Sequence, residues 1–245
     1  MHDGRKVRNI DPIENSRRTN LLRRTAKEAR NYNVTMKILS AALLMLVVLT
    51  GLFYIVSALY NNSGSFTVKI DKVDMTKYGL SLAESPDMAY KTSQLNAQIA
   101  EEITNIDGIT LPDNLDQIDG EHNGLQYIAY TFYLENAGEI ECNVEYTMDM
   151  SGITNGLDEA IRLKLYVDGE PTVYAKTASD GSGPEPGTTP FESSTIMARG
   201  RFSLMQPKEI HKFTVVIWIE GNDPDCLDWL IGGQLKMAMN FAVVH

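Results

Sequence analysis

Apolar and polar residues alternate through most of the chain beyond residue 125. Ile128, Tyr130, Phe132 and Leu134 alternate in YIAYTFYLEN, and Ile140, Cys142, Val144, Tyr146 and Met148 do so in the next segment. Ile161, Leu163, Leu165 and Val167 share one face of AIRLKLYVDG, with Arg162, Lys164 and Asp168 on the other. Phe213, Val215, Ile217 and Ile219 alternate in KFTVVIWIEG, and Leu235, Met237, Met239, Phe241 and Val243 close the chain. Period two puts successive side chains on opposite faces, so each segment predicts a strand with one buried face. Weaker patterns occupy Phe66–Lys72, Tyr78–Ala83, Thr172–Lys176 and Met197–Leu204. Roughly seven to nine strands in residues 61–245 fit an all-β fold of two packed sheets.

The connections are legible as well. Asp168-Gly169 before Pro171 predicts a hairpin turn. Ser179–Pro190 (SDGSGPEPGTTP) is too rich in Gly and Pro for regular structure and reads as a long exposed loop. Leu111–Gly124 reads as an acidic loop. Between Pro86 and Ile106 two patterns compete: Leu95, Ile99, Ile103 and Ile106 suit a helix face, whereas Leu95, Ala97 and Ile99 suit a strand.

The first quarter has a different pattern. Ile38–Phe66 contains no Asp, Glu, Lys or Arg, and Ile38–Leu59 is apolar apart from Ser and Thr. A helix of that length spans roughly 33 Å, enough for a hydrocarbon core of about 30 Å. Few soluble helices are apolar on every face. The predicted order is therefore a tail (1–37), a transmembrane helix (38–60) and an outer domain (61–245).

Charge gives that order a direction. The whole chain has a formal charge of −10, yet residues 1–37 hold ten Lys/Arg against four acids. A basic flank is retained in the cytoplasm, so the expectation is a single-pass cell-membrane protein with its C-terminal domain outside. The rival is a cleaved signal peptide, for which Val56-Ser57-Ala58 loosely supplies the small-x-small site. Ser16–Tyr32 is either a solvated tail or a basic helix held on anionic lipid headgroups. No aromatic interleaving supports nucleic-acid binding.

Catalytic signatures are missing from the sequence. The four histidines (His2, His122, His211, His245) lack metal-ligand spacing, and no H-E-x-x-H, G-x-S-x-G, P-loop or dinucleotide fingerprint occurs. Acids gather in two places: Asp113, Asp116, Asp119 and Glu121, and then Glu220, Asp223, Asp225 and Asp228. The second group provides weak candidate ligands for calcium, but neither group has the D-x-[DN]-x-[DN]-G spacing, so solvated acidic loops are the plainer reading. No other cofactor is expected. Cys142 and Cys226 both fall in the outer domain, where a disulfide can persist. Such a bridge would contribute about 4–5 kcal/mol, while a buried Cys142 thiol would also pack well as a small hydrophobe.

WIEGNDPDC (Trp218–Cys226) concentrates the acids beside a thiol. Trp218 and Ile219 end a strand and Gly221 breaks it. Asp223 stands where a helix N-cap belongs, with Pro224 at the first helical position and Gly232 just past the end. The stretch reads as a strand turning through a short helix into the last strand.

That stretch, continued as TVVIWIEGNDPDCLDWLIGGQLKMAMNF (Thr214–Phe241), resembles the TasA/camelysin family of Gram-positive bacteria, as does YTFYLENAG (Tyr130–Gly138) with its Asn-x-Gly turn. The resemblance covers about half of the outer domain. It implies a jelly-roll-like β-sandwich and a role at the cell surface or in a biofilm matrix. Members commonly carry a shorter leader removed by a SipW-type signal peptidase, and they include fibre subunits and a surface protein described as a protease. The long basic tail here favours a retained anchor over a secreted fibre subunit. No zinc-ligand set supports carrying the protease activity across. The expected function is non-enzymatic, structural or interactive, with an unidentified extracellular protein or another copy of the chain as partner. Leu111–Gly124 and Ser179–Pro190 are the candidate contact loops.

Overall fold

The computed structural model describes residues 16–17, 35–54, 65–71, 78–97 and 103–244. The chain divides into two compact units, Met1–Asn62 and Ser63–His245. Ser16 and Arg17 are helical; the rest of the basic segment, Val56-Ser57-Ala58 and residues 98–102 lie outside the described residues.

In the first unit, Thr35–Tyr54 forms one helix, α1, long and apolar enough to cross a membrane by length and composition. Every residue of it is exposed. Thr50 Oγ1 donates to the Leu46 carbonyl at 2.8 Å, so even this polar group is satisfied within the helix.

The regular structure of the second unit is mainly β, with four short 3-10 turns among the described residues. Its strands are β1 (Ser65–Ile70), β2 (Leu80–Ala83), β3 (Gln94–Ala97), β4 (Gly120–Glu121), β5 (Tyr127–Asn136) and β6 (Cys142–Ser151). They continue with β7 (Ile161–Val167), β8 (Glu170–Ala175), β9 (Thr189–Pro190), β10 (Ile196–Met205), β11 (Ile210–Ile219) and β12 (Lys236–Val244). One sheet has the order β10-β6-β12-β1-β3; the other has β2-β5-β11-β7-β8-β9, with β4 also on β5. Both sheets are mixed, because β1 runs parallel to β12 and β9 parallel to β8. β3 resolves the ambiguous stretch in favour of a strand at Gln94–Ala97, paired with β1.

The two sheets face each other across one shared core. Phe132 on β5 and Phe213 on β11 are register partners and stack at 5.4 Å; Phe241 on β12 meets Phe213 edge-on at 5.1 Å from the opposite sheet. Tyr146 on β6 packs edge-on against Phe213 at 5.3 Å. Burial among these rings pushes its hydroxyl up to about 12, with Tyr174 and Asp168 adding smaller contributions. Each such aromatic pair adds about 0.5–1.5 kcal/mol beyond area burial, so this cluster joins the sheets firmly.

Strands β6 and β12 alternate buried and part-exposed residues, as period two predicts. Strands β5 and β11 depart from it, being buried on both faces. The reason is a covering segment. Leu115, only 2% exposed, packs with Ala129, Val216 and Trp218 on the outer face of the second sheet, flanked by Ile106 and Leu111. Leu111–Gly124 is thus a partly ordered cover carrying β4, and Asp119 accepts a hydrogen bond from the Tyr133 hydroxyl at 2.5 Å. Nor is Ser179–Pro190 wholly irregular, since its last two residues form β9.

Two turns follow the sequence closely. Asp168 and Gly169 have φ of 52° and 88°, a left-handed pair that closes the β7–β8 hairpin with Val167 opposite Glu170. Asn136 terminates β5: its side-chain amide donates to the carbonyls of Ile140 and Met205, both at 2.9 Å, and its Oδ1 accepts from Gly138 N at 3.1 Å. A Cβ on Gly138 would lie 2.1 Å from the Tyr78 carbonyl oxygen, so only glycine fits there.

Hydrogen bonds between loops define the ends of this unit. At one end, Glu220 N reaches Ala160 O, and Thr154 joins Gln234, so the β6–β7 and β11–β12 connections lie together. β1 starts at the same end, because Ser65 pairs with Lys236 and Lys236 with Ser151. Asn136, Met205 and the start of β6 occupy the other end.

Candidate functional site

A buried polar cluster lies at the end where β1 starts, and it centres on Arg162. This residue follows Ile161 on β7, opposite Trp218 of β11 and Ala175 of β8. The alternation placed Arg162 on a solvent face. It is instead buried, because the acidic turn after β11 and the loop before β9 fold over it. Arg162 Nη2 donates to Asp223 Oδ2 at 2.5 Å and lies 3.5 Å from Glu185 Oε2. Its Nη1 donates to the Ile161 carbonyl at 3.3 Å.

Asp223 is held from both sides. Its Oδ1 accepts from Asp225 N at 2.7 Å, closing a turn in which Pro224 and Asp225 are central and Cys226 N returns to Asp223 O at 3.0 Å. Asp225 in turn accepts from Ser179, from the hydroxyl at 2.5 Å and from the backbone N–H at 3.1 Å. One turn of the β11–β12 connection and two points of the long loop are thereby pinned to β7.

The helix expected after Asp223 is a single 3-10 turn, Asp228–Leu230, with Leu227 at its N-cap and no side-chain cap bond. Asp223 and Pro224 are therefore not its cap and first residue. The physical reason is the buried guanidinium, which claims the Asp223 carboxylate and stops the chain in a β-turn first. Gly232 does end the segment, with φ of 75° in a turn closed by Gly233 N to Leu230 O at 2.8 Å.

The four acids proposed as calcium ligands are separated by the fold. Asp223 and Asp225 stay together and are joined by Glu185, each offering an oxygen within 4.8 Å of the others. Glu220 is engaged elsewhere, accepting from Trp218 Nε1 at 3.0 Å and Gly108 N at 3.1 Å. Asp228 is exposed on the 3-10 turn. Calcium takes six to eight oxygens. Here three carboxylates already share a guanidinium and two Ser179 donors, an arrangement suited to a latch. Glu185 carries the strain of this crowding: desolvation first, then the charges of Asp223 and Asp225, raise its pKa against the opposing pull of Arg162.

Neither Arg162 nor Glu185 was legible as a site residue. Arg162 sits in a regular alternation, and Glu185 lies in a Gly/Pro-rich loop, so only the three-dimensional closure of that loop brings them together. A second buried carboxylate, Glu135 on β5, was missed for the same reason; it accepts from Ser81 Oγ at 3.3 Å and pairs with Lys91. Cys142 and Cys226 are not bridged. Cys142 pairs in register with Met205 at one end, and Cys226 lies at the other beside Asn105, so the length of β6 separates them.

No family model matches this chain, and no curated protein does. Among solved structures, a β-glucosidase from Kluyveromyces marxianus, determined in complex with glucose, is similar over 70% of this chain at 10% identity and a TM-score of 0.24. The chain spans 17% of that enzyme's length. A likeness this slight bears on neither fold nor function.

Proposed function

We propose that the chain is a non-enzymatic, single-pass membrane protein that displays its β-sandwich outside the cell for a structural or interaction role. The observation that carries this reading is α1. Every one of its 20 residues is exposed, and the sandwich completes its own core from its own strands. A helix apolar all round requires an apolar medium. The basic flank of residues 1–37 sets the orientation, cytoplasmic tail and outer sandwich.

A TasA/camelysin-like, jelly-roll reading draws support from strand order. Taking β1, β5, β6, β7, β8, β10, β11 and β12 as eight successive strands, one sheet interleaves β10-β6-β12-β1 and the other β5-β11-β7-β8. That is the doubly wound Greek-key order of a jelly roll. The departure is β1, which runs parallel to β12, with β2, β3 and β4 between it and β5 in the chain.

The cluster around Arg162 supports a scaffolding role. Its charged groups are engaged with one another, and they fasten a loop rather than open a cleft. N-terminal sequencing of the chain from membrane and extracellular fractions tests the reading. Retention of residues 1–37 in the membrane fraction is expected. A mature chain beginning near Leu59 in the medium would replace this reading with a secreted matrix subunit.

A further inference from the structure

Large apolar side chains crowd one end of the sandwich. Ile109, Leu125, Leu227, Trp229 and Ile231 are 90%, 92%, 43%, 63% and 78% exposed. Scattered exposed apolar residues are ordinary, but five at one end are not scattered. Hydrogen bonds gather the segments that carry them. Gln126, next to Leu125, donates to the Asn105 carbonyl at 2.9 Å, and Asn105 Nδ2 approaches Cys226 Sγ at 3.5 Å, next to Leu227. Asn155 Nδ2 donates to the Ile231 carbonyl at 3.0 Å, and Gly108 N, beside Ile109, reaches Glu220 at the start of the same connection. The tips are thus held by a braced set of loops. Within the turn, Leu230 is buried while its neighbours Trp229 and Ile231 point outward.

Position in the chain identifies what meets them. β1 starts at this end, since Ser65 pairs with Lys236 just after the connection that carries Trp229 and Ile231. Ser65 follows Tyr54, the last described residue of α1, by eleven peptide steps. Even fully extended, such a tether reaches about 40 Å, and a coiled one much less. Tryptophan and large aliphatic side chains on loop tips favour the boundary between headgroups and acyl chains.

We infer that this end of the sandwich is a membrane-contact surface, with Trp229, Ile231, Leu227, Leu125 and Ile109 seated in the interfacial layer of the outer leaflet. The partner is a lipid surface that is electrically neutral overall. Asp228 lies between Leu227 and Trp229, and Asp107 lies close to Ile109, so strongly anionic headgroups would repel the tips. The inference rests on the proposed anchoring by α1. It adds that this end of the outer domain touches lipid instead of standing clear of it.

The two tryptophans permit a direct test in the full chain, because Trp218 is 4% exposed and Trp229 is the exposed one. The protein is reconstituted into phosphatidylcholine vesicles with or without brominated acyl chains, and insertion is checked by flotation and resistance to alkaline extraction. Brominated lipid should remove roughly half or more of the Trp229 emission, as expected for a ring at the interface. Trp229→Phe should leave only the Trp218 signal and abolish the quenching. Vesicle-inserted protein whose emission is the same in both lipids would overturn the inference while leaving the anchor intact. Failure to float with vesicles would overturn the anchor itself, and the inference with it.

Discussion

Asp223 Oδ2 lies 2.5 Å from Arg162 Nη2, and the two side chains are 0% and 5% exposed. This buried ion pair ties the turn after β11 to the start of β7, and through Asp225 and Ser179 it also holds the long loop before β9. Removing Asp223 takes away the close partner and leaves Arg162, in a poorly solvated site, with only the longer 3.5 Å contact to Glu185. Asp223→Ala should therefore cost about 3–5 kcal/mol, whereas loss of a helix cap would cost about 0.5–2 kcal/mol. Equilibrium urea unfolding separates the two. Combining Arg162→Met and Asp223→Leu with Glu185→Gln should recover most of the loss, since no charge of the cluster is then left without its partner. A cost below about 1 kcal/mol for Asp223→Ala would contradict the latch.

Glu185 is the member of the cluster with a raised pKa, for which desolvation is the leading cause and the charge of Asp223 the next. Folding therefore favours its protonated form. Its contribution is fully present below the ordinary value of 4.5 and is lost as pH rises through the higher value it has in the fold. Once ionised, Glu185 consequently weakens the fold relative to its protonated form. Glu185→Gln should raise the melting temperature at neutral pH, and the difference should shrink as the pH falls toward the ordinary glutamate range. An equal difference at every pH would assign the effect to packing instead of charge.

Calcium discriminates between a latch and a metal site made of the same carboxylates. With Arg162 between Asp223 and Glu185, a calcium ion would have to compete with a guanidinium already in place. Thermal unfolding with millimolar calcium and with chelator should superimpose. A calcium-dependent rise in melting temperature would show that the cluster is a binding site after all.

The cysteines give a further check on the fold. Cys142 is buried at the head of β6 and Cys226 is partly exposed at the opposite end. Mass spectrometry of native protein should show no change on reduction, with Cys226 alkylated rapidly and Cys142 only on unfolding. A two-proton mass gain on reduction would demand a different register for β6.

Much of the sandwich could be read from alternation, because a strand with one buried face writes its environment into every second residue. Val144, Tyr146 and Met148 on β6 show this plainly. β11 does not, since Val216 and Trp218 owe their burial to Leu115, about a hundred residues earlier in the chain. The cap assigned to Asp223 failed for a related reason. Local rules for a strand-to-helix turn were outweighed by a charge partner 61 residues away. The Asn136–Gly138 turn was legible in its local part, Asn136 Oδ1 accepting from Gly138 N, whereas the bond to Met205 and the press against Tyr78 join segments 60 or more residues apart. The Asp168-Gly169 turn was legible in the same local way.

One labelling experiment bears most directly on a sandwich displayed outside the cell on a retained anchor. Intact cells making the protein are treated with a membrane-impermeant maleimide, and the chain is then extracted from membranes for intact-mass measurement. Neither cysteine precedes residue 142, so any adduct reports the location of the sandwich. With Glu170→Cys, in the exposed β7–β8 turn at the opposite end from the proposed lipid contact, the expected species is the full chain of about 27.3 kDa carrying an adduct at that position. A full-length chain that is labelled only after lysis would place the sandwich inside, and a chain lacking residues 1–37 would remove the anchor.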